Sequence, residues 1–448
     1  MKKRYAICGL SLRGIYHFVL PILGQSKGEG ANDFSSTAEL VGILDLDPGR
    51  VQKFQDIVGT QIPCYGAGET DAMCRRERPD VVLVAGPDFS HHECILSALR
   101  AGCDVIVEKP MVISSRQAAE VLAAERETGR SVQVSFNYRY IPAHRLIKRL
   151  IAEGRIGRIT NVELVWNLDT HHGASYFFRW NRERAKSGGL NIHKCCHHFD
   201  LVNWWLADTP ETVFAFGARN FYGPEGAHRP LGPKGAPVTL SEVKRRCPYF
   251  QQHYAKRLSP EAPEINTGWD PLGLAYPAQY PESSPRYIYD EAIDVEDTYS
   301  AVMRYRNGAS LAYSCNFSTP WEGYVLGING TEGRIEMSHH SNPDPTGSVP
   351  TGEIPAKVRL LPLFGGEEEI VLPKCPGGHG GSDPFIQRDL FLGPSPDSRA
   401  LSLVAGSMDG AIAVAQGEAV FRAIETKLPV SVPASLAAAG CEVRFGSV

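Results

Sequence analysis

Arg4-Tyr-Ala-Ile-Cys-Gly9-Leu-Ser11-Leu-Arg-Gly14 opens the chain with a short apolar run, a glycine turn and the start of an apolar helical stretch. That order points backbone N–H groups and the positive end of a helix dipole at one spot, a setting that favours a bound anion. Gly9, Ser11, Leu12, Arg13 and Gly14 are therefore the expected contacts for the pyrophosphate of a dinucleotide. Ser11 takes the place of the usual middle glycine, and its hydroxyl can donate to phosphate. A second strand ends in Val41-Gly-Ile-Leu-Asp45-Leu-Asp47-Pro48. A carboxylate at Asp45 accepts hydrogen bonds from ribose hydroxyls and repels a 2′-phosphate, which predicts NAD rather than NADP. Asp47, before Pro48, fits the helix cap better than Asp45 does. The polar stretch 24–36 is an added loop between turn and carboxylate.

Outward from this turn, strand and helix signals alternate over residues 1–137. Tyr5–Cys8, Glu39–Leu44, Val81–Ala85, Asp104–Val107 and Val132–Phe136 are strand-like runs. Glu93–Ala101 has a helical apolar face, and Ser114-Ser-Arg-Gln117 is a capping pattern for a helix that stops at Gly129. Strands apolar throughout predict a parallel, doubly wound α/β sheet covered on both faces. Beyond residue 137, Ile159–Asn167, Tyr299–Tyr305, Ser310–Asn316, Tyr324–Asn329 and Arg334–Met337 alternate like half-buried strands, and Asn307-Gly308 marks a hairpin. Residues 138–448 are thus expected to form an α+β domain with a large, mainly antiparallel open sheet for substrate binding and oligomerisation. Ser402–Thr426 should be helical and Leu428–Val432 a strand, while a Pro/Gly/Tyr-rich segment at about 222–285 is an insertion, a lid or an oligomer contact.

Composition excludes several classes. The net charge of -4 over 448 residues leaves no basic footprint for nucleic acid, and no apolar run is long enough to span a membrane. Eleven cysteines, none in a C-x-x-C pair, suit a reduced, cytoplasmic protein.

Two further motifs follow core strands: Pro87-Asp88-Phe-Ser-His91 and Glu108-Lys109-Pro110. With the opening turn, with Asn137-Tyr-Arg139 at the crossover and with Gly154-Arg-Ile-Gly157, they resemble the Gfo/Idh/MocA family, named for glucose–fructose oxidoreductase and inositol dehydrogenase. The resemblance implies a Rossmann domain, bound NAD, and a sugar, cyclitol or derivative as substrate. It also implies that Lys109 stands beside nicotinamide and substrate, where a cation stabilises a developing alkoxide. Pro87, His91, Glu108, Lys109 and Asn137 join the cofactor contacts on this basis.

The richest segment is Gly188-Gly-Leu-Asn-Ile-His193-Lys194-Cys195-Cys196-His197-His198-Phe-Asp200. His197 matches the family's catalytic histidine and Asp200 the aspartate that follows it. His193 stands where the family has an acidic residue, and Cys195 where it has glycine. On a continuous helix, residues 193 and 197 share a face. His197 is the expected general base, because imidazole titrates near neutrality; His193 orients substrate or relays the proton, and Lys194 bonds a sugar hydroxyl. Alternatives stand beside this: a metal held by His193, Cys196, His197 and Asp200, a reactive thiol, or cysteines that merely pack. The expectation is no metal. Tyr176, Arg179 and Trp180 suit stacking on a sugar and bonding to hydroxyls or an acidic group. A homo-oligomer, dimer or tetramer, is expected from the open sheet. Two other functions fit the same sequence: glycoside cleavage through transient oxidation by retained NAD, and a non-catalytic NAD-binding protein.

Overall fold

The structure, a computed structural model, describes residues 2–236, 238–249, 251, 272, 274, 287–341, 356–373 and 375–440. The strands β1 (Lys3–Cys8), β2 (Ala38–Leu44), β3 (Cys64–Tyr65), β4 (Val81–Val84), β5 (Asp104–Val107) and β6 (Val132–Val134) pair in parallel in the order β6-β5-β4-β1-β2-β3. All four residues of β4 are buried, as helices on both faces of a parallel sheet require. The helix Ser115–Thr128 starts and stops where its sequence signals lie: Ser114 Oγ accepts the Gln117 N–H, and Gly129 at φ +65° ends it. The preceding helix runs Asp88–Arg100, so it includes the apolar face read at Glu93–Ala101 and takes the Pro87–His91 motif as its first turn.

The second sheet contains β7 (Ile159–Asp169), β8 (Pro210–Ala218), β9 (Thr298–Tyr305), β10 (Ser310–Thr319), β11 (Glu322–Gly330), β12 (Gly333–Ser341), β13 (Lys357–Pro362) and β14 (Glu368–Val371). The order is β14-β13-β12-β11-β7-β10-β9-β8, antiparallel except where β7 and β10 run together. Val162, Leu164, Trp166 and Leu168 of β7 point inward, whereas Val165 alternates to the other face. That other face is open: Val165, Phe216, Val302 and Val325 are 41%, 66%, 57% and 47% exposed.

The chain returns to the first sheet near its end. β15 (Ala405–Gly406) pairs antiparallel with β6, and Phe391 packs among Tyr5, Phe18 and Phe34. The long terminal helix consequently begins at Ser407, five residues later than the sequence suggested. Ala405–Gly406 is taken into the sheet, and Asp409 accepts the Gly406 N–H at 2.8 Å to cap the helix. That helix, Ser407–Thr426, packs on Ser115–Thr128, on Cys196–Leu206 and on β8, joining the two layers. The strand after it is short, β16 (Val430–Ser431), paired with β8. Of the insertion, 237, 250, 252–271, 273 and 275–285 lie outside the described residues; the described part includes the helix Leu240–Arg246.

Candidate active site

The loops that leave β1, β2, β4 and β5 meet at the C-terminal edge of the parallel sheet, where a doubly wound fold opens its crevice. Gly9 sits at φ +90°, and a Cβ there would stand 2.4 Å from Cα of Gly86. Only glycine lets the two turns approach so closely. Ser11 Oγ accepts the Gly14 N–H at 2.9 Å and caps the helix that starts at Leu12. The Asp45 carboxylate accepts the Leu10 N–H at 2.7 Å and the Asp47 N–H at 3.0 Å, which fixes it beside the glycine turn. Between these parts lies a cavity of about 220 Å³ lined by Gly9, Ser11, Asp45, Gly86, Pro87 and Phe89, among others. A glycine cradle with a fixed carboxylate at its far end suits the pyrophosphate and ribose of a dinucleotide.

Four residues expected at the cofactor, Arg13, His91, Glu108 and Asn137, are engaged with other parts of the protein. Arg13 donates to Glu108 Oε1 at 3.0 Å and to Asp383 Oδ2 at 2.9 Å, so Arg13 and Glu108 tie the phosphate turn, the β5 loop and the helix Asp383–Leu392 together. The buried His91 lies with Nδ1 2.9 Å from the Pro110 carbonyl and Nε2 2.9 Å from the Gly86 carbonyl, bracing the Lys109 loop against β4. Asn137 is buried, its N–H on the Ser135 carbonyl. Leu12 is half-buried in the capped turn, and Pro87 both starts its helix and lines the cavity. Arg50, an ordinary helical arginine in the sequence, clamps the same turn: it donates twice to the Leu10 carbonyl and once to the carbonyl of Leu274 from the insertion.

The histidine segment does not form one helix. Leu190–His193 and Cys196–Leu206 are separate, and the Cys195 N–H reaches back to the Leu190 carbonyl across the break at Lys194-Cys195. His193 and His197 therefore do not share a helical face, contrary to the spacing argument. The His193 Nδ1 lies 2.5 Å from Asp88 Oδ2, its Nε2 3.0 Å from Asn181 Nδ2, and its carbonyl accepts from Lys109 Nζ at 3.2 Å. Tyr176 and Trp180 set their rings edge-on to it at 5.5 and 5.4 Å. Trp180 also meets Phe89, which connects this cluster to the cavity. His197 stacks on Tyr138 at 4.1 Å, and its buried Nδ1 has no hydrogen-bond partner among the described residues. Lys194 Nζ donates to the Tyr138 hydroxyl at 2.9 Å. Burial, then the Lys109 cation, pushes both His193 and His197 well below the ordinary imidazole value, so both are neutral. Burial likewise lowers the Lys109 ammonium.

Residues 3–136 match the family model described as "Oxidoreductase family, NAD-binding Rossmann fold", and residues 148–432 match its "C-terminal alpha/beta domain". The chain belongs to the Gfo/Idh/MocA oxidoreductase family. It is an NAD-dependent oxidoreductase with a Rossmann domain. The YteT protein of Bacillus subtilis (strain 168) is 41% identical over 96% of this chain and 98% of its own. The inositol 2-dehydrogenase/D-chiro-inositol 3-dehydrogenase of Lactiplantibacillus plantarum is 23% identical over 65% of this chain and 82% of its own. Among solved structures, levoglucosan dehydrogenase in complex with NADH and levoglucosan superposes with a TM-score of 0.64 at 16% identity, covering 97% of this chain and all of that one.

Against the family pattern, the two departures in the histidine segment now have a physical setting. Where the family carries an acidic residue, His193 receives a carboxylate from Asp88, at the start of a different helix. Nothing in the histidine segment itself signalled Asp88 or Asn181, because both arrive from elsewhere in the chain. Cys195, in the glycine position, is buried beside Cys315 and His198, and these three bring ligand-type atoms within 4.8 Å of one another. Of the four residues weighed as metal ligands, Asp200 accepts two bonds from Arg139 at 2.5 and 2.9 Å, and His193 lies 2.5 Å from Asp88.

Proposed function

We propose that this oxidoreductase interconverts a secondary hydroxyl and a ketone on a sugar, cyclitol or sugar derivative, with Lys109 and His197 at the reacting carbon. The observation that carries the reading is the neutral, buried imidazole of His197, with Nδ1 unpartnered and Lys109 close enough to depress its proton affinity. The names of the relatives, an inositol dehydrogenase and a levoglucosan dehydrogenase, support the substrate class.

NAD, when bound, supplies the hydride acceptor. Gly9, Ser11, Leu12 and Gly14 hold its phosphates, Asp45 its ribose, and Pro87 walls the cavity. Lys109 donates to the substrate oxygen and stabilises negative charge as the O–H proton departs. His197 accepts that proton. Both nitrogens of His193 are engaged, so His193 acts as a positioning residue, holding Lys109 through its carbonyl. Tyr176, Arg179, Trp180 and Lys194 hold the substrate. We also propose that the enzyme works in the cytoplasm as a homo-oligomer. The ten cysteines among the described residues are free thiols, and no helix among those residues is long and apolar enough to cross a membrane.

Lys109→Ala and His197→Ala test the assignment. Each should lower kcat by about 100-fold or more with NAD binding retained. Full turnover by both variants on a substrate of the wild-type enzyme overturns it. Glycoside cleavage with no net NADH would assign the same residues to the transient-oxidation chemistry instead.

A further inference from the structure

Three cations gather around the two histidines. Lys109 Nζ donates to the His193 carbonyl at 3.2 Å and Lys194 Nζ to the Tyr138 hydroxyl at 2.9 Å. Arg179 donates to the carbonyl and hydroxyl of Ser175 at 3.0 and 3.1 Å. All these acceptors are neutral. Among the described residues, no carboxylate comes within an ion-pair distance of 4.0 Å of any of the three cations. The nearby carboxylates lie against other side chains, Asp88 against His193, Glu322 against His172 and Glu108 against Arg13, and act on the three cations only from beyond that distance.

Lys194 is only 5% exposed. A buried ammonium whose one hydrogen-bond acceptor is a phenol retains much of its desolvation cost. Cation–π contact compensates in part: Lys194 Nζ lies 5.4 Å from the Tyr138 ring and 5.8 Å from that of Trp166, and the Arg179 guanidinium lies 5.6 Å from the Tyr176 ring. The same two tyrosines contact the histidines, Tyr138 stacking on His197 and Tyr176 edging His193. Each extra cation is therefore one aromatic ring away from the reacting centre. A neutral sugar would leave Lys194 and Arg179 with no directly paired anion, whereas an anionic one supplies it through charge-assisted hydrogen bonds.

We infer that the substrate is a carboxylated carbohydrate whose acid group is received by Lys194 and Arg179. The inference rests on the proposed function only in leaving Lys109 to the reacting hydroxyl. It names the substrate class of that site and makes Lys194 and Arg179 its specificity-determining residues.

Calorimetric titration of the NAD-loaded protein with D-glucuronate and D-galacturonate, and with the methyl ester of each, tests it; NADH formation is followed in the same samples. At least one acid should bind about tenfold or more tightly than its ester. Lys194→Met and Arg179→Met should each reduce that preference, with circular dichroism and NAD affinity verifying that each variant is folded. Equal binding of acid and ester, absence of binding by any acid at about 10 mM, or a preference that survives in both folded variants overturns the inference. The two readings fail separately. NADH formed equally well from ester and acid sinks the acid subsite and leaves the oxidoreductase assignment standing. Preferential acid binding without NADH or glycoside cleavage does the reverse.

Discussion

At the scale of single residues, the chemistry is set by burial and by where each proton can rest. His197 has little water around it and two lysines nearby, so its protonated form is disfavoured from both causes. A base with a depressed pKa stays in its active, neutral form as pH falls through the usual histidine value of 6.5. The kcat/KM profile should accordingly remain flat through that region and decline only at lower pH. An acid limb centred at the ordinary value would show that His197 is not the proton acceptor. Asp88 acts one step removed, by holding His193 and through it the Lys109 ammonium. Asp88→Asn keeps the shape and replaces the carboxyl group that faces the His193 ring. It should lower kcat by about tenfold, the worth of one hydrogen bond, while NAD affinity stays within about twofold. Equal losses in kcat and NAD affinity would mean that the variant disturbs the cofactor loop instead.

At the scale of elements, close approach and chain breaks place these residues. The turn after β1 and the loop after β4 touch backbone to backbone at Gly9 and Gly86. Gly9→Ala adds a methyl group where neither backbone can yield without moving, at a φ that side chains rarely adopt. The expected cost is about 1–3 kcal/mol, seen as a lower melting temperature and a weaker NAD complex in fluorescence titration. An unchanged NAD affinity would place the dinucleotide elsewhere. The break at Lys194-Cys195 matters in the same way, since it lets His193 face Asp88 and His197 face Tyr138 although they are four residues apart. Capping signals were legible in the sequence at Ser114 and Gly129 because a cap is a local hydrogen bond. The break was not, because the partners that hold His193 come from residues 88 and 181.

At the scale of the whole molecule, the second sheet leaves one broad face uncovered. Phe216, Val302, Val325 and Val165 line it beside polar Glu163 and Arg334. An apolar patch of that kind on a sheet is more stable against a second copy than against water. Val302→Glu, at the middle of β9, should shift the wild-type assembly to a smaller species in sedimentation velocity at about micromolar concentration. A wild-type protein that sediments as a monomer would rule out the homo-oligomer. The same global view explains why the chain end matters to the cofactor site. Asp383 meets Arg13 and β15 completes the first sheet, so residues near 383 and 405 brace a turn made at residues 9–14.

The sequence by itself determined the alternation of strands and helices, the glycine turn, Asp45 at the end of its strand, and the motif around Lys109. Each of these depends on local periodicity or on a backbone conformation that a neighbouring residue must permit. Only the tertiary structure decided that Arg13 and Glu108 hold each other, that His91 braces two loops, that His193 is fixed by Asp88 and Asn181, and that Lys109, Lys194 and Arg179 share one site without a carboxylate within 4.0 Å among the described residues. Those outcomes depend on burial and on charges brought together from distant segments. Desolvation acts on what surrounds a group in space, and spacing along the chain carries no record of it.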